Sequence, residues 1–168
     1  MKKLPMWAVA SLVAAVAILI IVAVNVVQIL AKPGASEQMR LAVNEMKEAT
    51  LTGKPGGFLE HMSRSLKLPP PYDAMVSNPH AELSRWIRQA EVERLEVTEV
   101  RPEVYGTAGV VHANVNLVVS APFTFSYNGP VEINFRKEVH KRLFVIPEEK
   151  WLVESFGPVD PSNIQYGF

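Results

Sequence analysis

Residues 111–119 read VHANVNLVV. His112, Asn114 and Asn116 occupy one phase of the alternation; Val111, Ala113, Val115, Leu117 and Val119 occupy the other. Successive side chains of a strand point to opposite faces, so this stretch reads as a strand with one apolar and one polar side. A half-buried strand puts its apolar phase on the core and its polar phase toward water. The fold therefore needs elements to cover the apolar side, and the rest of the chain must supply them.

The period of two runs from about Val92 onward. Segments 92–104, 107–120, 123–127, 131–146 and 151–156 are rich in Val, Ile, Phe and Tyr and are separated by turn residues. In the first, Leu95 and Val97 share one phase, whereas Val100 and Val104 share the other. That slip predicts a bulge near Thr98 and Glu99, a device that curls a sheet. Around Asn128-Gly129-Pro130 a two-residue loop would set Phe125 against Glu132. A three-residue loop pairs Tyr127 with Val131, Phe125 with Ile133 and Phe123 with Phe135, which keeps the apolar residues on one face. The three-residue hairpin is expected. The 131–146 strand then turns through Pro147-Glu148-Glu149-Lys150 into Trp151-Leu152-Val153, and the tail beyond Gly157 reads as irregular.

Upstream the period is helical. Ser36 is suited to cap a helix over 37–52, with Glu37 near its N-terminal dipole and Met39, Val43 and Met46 along its buried side. Gly53 and Pro55 end it. Phe58, Leu59, Met62 and Leu66 predict a short second helix, stopped by Pro69-Pro70-Pro71. A third opens with Asn78 as cap and Pro79 as first helical residue, where the missing N–H has no intrahelical partner. Leu83, Trp86, Ile87 and Ala90 form its apolar stripe.

The first thirty residues differ from everything after them. From Met6 to Val24 the only interruption is Ser11, and the apolar run continues to Leu30. About 20 such residues span the roughly 30 Å hydrocarbon layer of a bilayer as a helix. A cleaved signal peptide carries an apolar region of only about 7 to 15 residues, followed by a small-x-small site. Here both Ala-x-Ala triplets, 8–10 and 15–17, lie within the run. An uncleaved anchor over 6–30 is expected, with Ala10, Ala14 and Ala17 as a small-residue face for a second helix. Lys2 and Lys3 before the span, against Lys32 after it, orient the N-terminus inward. The expected layout is a cytoplasmic stub (1–5), the anchor (6–30), a linker (31–35), an α+β domain (36–157) and a tail (158–168). The domain places three helices on one face of a strongly curved antiparallel sheet.

Composition excludes several functions. Setting aside Lys2, Lys3 and Lys32 leaves 14 basic against 17 acidic residues from Pro33 onward, a formal charge of −3. Such a domain lacks the cationic footprint of nucleic-acid binding. With no cysteine there are no disulfides, thiolate metal sites or thiol nucleophiles. His61, His80, His112 and His140 have no neighbour at the spacings of local metal motifs, so no metal and no cofactor is expected. The stretch Glu91–Glu103, with Arg94 and Arg101 interleaved, reads as a solvated face. Ser63 and Ser65 lack a nucleophile-elbow setting. Residues 69–72, PPPY, match a WW-domain ligand, but the expected extracytoplasmic placement favours a proline-stiffened loop.

Three helices followed by long curled strands resemble the cone-shaped fold of the nuclear transport factor 2-like (NTF2-like) superfamily, which includes SnoaL-like polyketide cyclases and ketosteroid isomerases. The closing hairpin HKRLFVIPEEKWLVESF (140–156) resembles that superfamily's frequent ending, a strand, an acidic turn and a Trp leading into the last strand. The usual Gly before that Trp is missing here. The resemblance spans about residues 36–157. In the isomerase and cyclase relatives an Asp or His inside the cone moves the proton, and no position here matches it. Asp73 and Glu60 are the nearest candidates on the helical half, and no catalytic residue is assigned. The anchor makes this chain more similar to bitopic bacterial envelope proteins of the same fold, which act as scaffolds.

The expectation is a non-enzymatic, single-pass protein of the bacterial inner membrane, with its domain outside the cytoplasm and bound to other envelope proteins or to a second copy. The expected partner surface comprises His112, Asn114, Asn116, Phe123, Phe125 and Tyr127. The alternative is a small apolar ligand, or a SnoaL-like reaction, inside a cone walled by Trp86, Val115, Leu117 and Ile133.

Overall fold

A computed structural model describes residues 33–70, 72–142 and 146–167. The expected anchor over 6–30, with Ala10, Ala14 and Ala17, lies outside these residues. Among the described ones no helix is long and apolar enough to cross a membrane. The chain divides after Gly34, and the fold is that of the unit from Ala35 onward.

Helix α1 spans Ala35–Leu51 and buries Met39, Ala42, Val43, Met46 and Ala49. It begins one residue ahead of the expected cap, so Ser36 is helical rather than capping. Its end is built as expected: the Thr50 and Thr52 hydroxyls donate to the Met46 and Glu48 carbonyls, and Gly53 takes φ +62°, a conformation glycine adopts without strain. A five-residue helix α2, Pro55–Leu59, follows.

The expected continuation of that helix is wrong. Met62–Lys67 is a strand, β1, lying parallel to the last long strand with Met62 opposite Val153. Met62 and Leu66, four apart, fit either conformation. The edge of the neighbouring strand decides, because its backbone groups need partners: the Val153 N–H donates to the His61 carbonyl at 2.8 Å. A single-turn helix α3, Tyr72–Met75, precedes α4, Pro79–Gln89. There the Asn78 side chain accepts from the Ala81 N–H at 3.1 Å, the expected cap. Ile87 is buried and Trp86 packs on Phe125 with ring centroids 6.0 Å apart.

Strands β2 (Glu91–Tyr105), β3 (Ala108–Ala121), β4 (Phe125–Arg142) and β5 (Ile146–Phe156) form an antiparallel meander, and the sheet runs β1-β5-β4-β3-β2. The bulge stands where the phase slip puts it. Thr98 pairs with Asn114 and Arg101 with His112, so Glu99 and Val100 together face Ala113, and Glu99 takes φ +52°. Val97, before the bulge, and Val100, within it, thereby both pack against the core.

The hairpin at Asn128-Gly129-Pro130 does not exist. β4 continues straight through it, with Asn128, Gly129 and Pro130 opposite Asn116, Val115 and Asn114. The β3–β4 turn lies earlier, at residues 122–124. Odd-numbered residues from 123 to 135 share a face whether a three-residue loop intervenes or not, so the face criterion could not separate the two topologies. The tail is also more ordered than expected. After a short 3₁₀ turn, Pro161–Asn163, residues Ile164–Tyr166 form β6 against Phe125–Tyr127 of β4.

The core lies between α1 and one face of the sheet. It comprises Met39, Val43, Met46, Met62, Leu66, Val111, Ile133, Phe135, Trp151 and Val153. Gly109 lets α1 approach: a methyl there would stand 2.6 Å from the Met39 sulfur and 3.2 Å from the Trp151 ring.

Candidate functional site

Strand β3 presents its faces as expected. Val111, Ala113 and Val119 are buried, His112 is exposed, and Asn114 and Asn116 are half-buried. The register extends this polar row across three strands. Arg101 and Glu132 flank His112, Thr98 and Pro130 flank Asn114, and Glu96 and Asn128 flank Asn116. The α1 side chains of the core lie against the other face. Amides donate and accept at once, so Asn114, Asn116 and Asn128 can serve a partner of either polarity.

The aromatic half of the expected surface does not join it. Phe125 and Tyr127 lie opposite Val119 and Leu117, and so belong to the inner phase. Tyr127 is only 6% exposed, and Phe125 stacks against Trp86. Phe123 alone is freely exposed, at 76%, in the β3–β4 turn. The Tyr127 hydroxyl donates to the Pro130 carbonyl at 2.5 Å. Burial pushes its pKa above the usual tyrosine value and the charge of Asp160 adds to this, while a hydrogen bond with Asn163 works the other way.

The interior offers little chemistry. Ser63 is the buried polar residue among the described ones; its hydroxyl donates to the Glu138 carboxylate, and Ser65 packs beside it. Asp73 is exposed and accepts from the neighbouring Ala74 N–H. The residues expected to wall a ligand cavity differ in exposure: Ile133 is buried in the core, Val115 and Leu117 are half-buried, and Trp86 is 36% exposed.

A second constellation was not legible in the sequence. A cleft of about 300 Å³ opens between α1 and β5, lined by Gln38, Leu41 and Glu45 on one side and Lys150 and Trp151 on the other. Glu60 and His61, in the turn between α2 and β1, close one end. The Nε2 of His61 stands 2.8 Å from a Glu45 carboxylate oxygen and 3.8 Å from one of Glu60. Glu60 is one of the two candidate carboxylates, with Asp73, that the sequence offers on the helical half. What no spacing rule could supply is Glu45, brought in from the exposed side of α1 by tertiary packing. His80, in the first turn of α4, and His112, on the sheet, belong to other parts of the fold.

No family model matches the chain, and no curated protein matches it. Solved structures do. The chain is similar to a candidate dehydratase of the NTF2-like family from Streptomyces avermitilis, at 14% identity over 71% of this chain and 91% of that one, with a TM-score of 0.52. It is similar to a candidate aromatic ring hydroxylase from Novosphingobium aromaticivorans, at 12% identity over 72% and 85%, TM-score 0.52. A Mycobacterium tuberculosis protein of unknown function aligns at 9% identity over 71% of each chain, TM-score 0.51. At these identities the likeness is one of architecture. Over about 71% of its length this chain has the NTF2-like fold.

Proposed function

We propose that this chain is a non-catalytic interaction protein, held in a bacterial inner membrane by residues 6–30, whose domain outside the cytoplasm docks a protein partner or a second copy on its polar sheet face. The observation that carries this reading is the three-strand polar row around His112, Asn114 and Asn116, on the face opposite the packed core. Three half-buried or exposed amides in a row are poor strand formers, and contact with a partner gives them a purpose that solvation does not. The interior supports the same view: large apolar side chains, Met39, Phe135 and Trp151, occupy its centre. No carboxylate or histidine among the described residues is buried there in the setting a general acid needs.

Asn114→Arg tests the docking face. The full chain, solubilised from membranes with detergent, is cross-linked and affinity-purified beside the wild type. The variant is expected to lose its partners, or its self-association, with an unchanged circular-dichroism spectrum. Recovery of the same partners in the same yield from a folded variant removes this face from the assignment. Extraction of the membranes with alkaline carbonate checks the anchor: the protein is expected to stay with the lipid, and its release would overturn the tethering.

A further inference from the structure

We infer that Glu45, Glu60 and His61 form a site for one divalent transition-metal ion of the zinc type at the end of the α1–β5 cleft. The three donors come from α1 and from the α2–β1 turn, and one ligand atom from each lies within 4.8 Å of the other two. Donors held about 2.0–2.1 Å from a zinc ion stand roughly 3–3.5 Å apart. The two measured separations from His61 Nε2, 2.8 and 3.8 Å, bracket that spacing.

The histidine supplies an independent observation. Its side chain is 16% exposed, and Nε2 itself is buried without a hydrogen-bond partner among the described residues. The Glu45 oxygen stands 2.8 Å away, at ion-pair distance, without forming a hydrogen bond to it. Buried ring nitrogens are normally satisfied, and an orphan one carries a desolvation cost. A cation bound by Nε2 and both carboxylates removes that cost and also relieves the repulsion between Glu45 and Glu60.

The scaffold of the site is fixed while its arms can adjust. The His61 N–H donates to the Phe58 carbonyl at 3.3 Å, and its carbonyl accepts from Val153 at 2.8 Å, which pins the residue between α2 and β5. Glu45 and Glu60 are 59% and 66% exposed, free to rotate onto an ion. One imidazole with two carboxylates suits zinc better than the all-oxygen cations magnesium and calcium. Three protein donors leave a fourth position for a water or a donor atom of a bound molecule. The bound ion would tie α1 to the turn that carries β1. This inference is independent of the docking face, which lies on other strands.

The test is calorimetric titration of zinc chloride into the full-length, tag-free protein in detergent after chelator treatment. One zinc per chain is expected, together with a rise in thermal midpoint that magnesium does not reproduce. Glu45→Gln, at an exposed position, is expected to weaken zinc at least about tenfold, the lower end of what loss of even an outer-shell partner costs. His61→Asn should abolish binding, and Glu45→Gln decides the matter if that variant does not fold. Absence of zinc binding by the wild type, or wild-type affinity in Glu45→Gln, overturns the site.

Discussion

Two side chains carry measurable consequences by themselves. Asn78 accepts the Ala81 N–H at the start of α4, one of the amides a helix leaves without an internal partner. Asn78→Ala is expected to lower the unfolding free energy by about 1 kcal/mol, and Asn78→Ser or Asn78→Asp to restore most of it, read from denaturant midpoints. Tyr127 makes a prediction about alkali. Its pKa is raised chiefly by burial, so the folded state favours the neutral phenol. The associated stability is complete below the ordinary tyrosine value of about 10 and is lost as pH rises through the higher folded value. Ultraviolet titration should therefore show a late tyrosine that Tyr127→Phe removes. Tyr105, also raised, through its hydrogen bond to Glu103, should remain in that variant. At neutral pH Tyr127→Phe should cost about 1 kcal/mol, the usual net worth of the hydrogen bond lost to Pro130.

The elements differ in how far the sequence announced them. Asn78-Pro79 fixed the start of α4 because both residues act locally, and the phase slip at Thr98-Glu99 located the bulge because alternation is a local property as well. β1 was hidden because its conformation is set by β5, some ninety residues away. The false hairpin at 128–130 arose from two topologies that share a face pattern. β6 was missed for a related reason: Ile164-Gln165-Tyr166 is too short to alternate visibly, and only the free edge of β4 beside Phe125–Tyr127 gives it a partner. That docking is testable. A chain ending after Gly157 should keep its circular-dichroism spectrum but exchange the amides of Phe125–Tyr127 faster. Unaltered exchange in that segment would mean that β6 contributes nothing to holding the strand.

On the scale of the whole molecule, the α+β layout and the outward polar row were readable from VHANVNLVV, since one alternating strand already demands a covered side and a wet one. The divided fate of the proposed surface was readable only in part: His112, Asn114 and Asn116 kept their face, whereas Phe125 and Tyr127 went inward with the phase of β4. The grouping of Glu45 with Glu60 and His61 had no signature along the chain, because packing of α1 creates it. One further property follows from β2, whose outer edge ends the sheet order. The outer edge of this fifteen-residue strand is an open template on which another chain could add itself, and then another. Glu91, Glu93, Arg94, Glu96, Glu99, Arg101 and Glu103 crowd that border with charge, and the positive-φ step at Glu99 breaks its straightness. Where many copies are crowded into a thin layer, such a rim keeps neighbours from zipping together into ribbons.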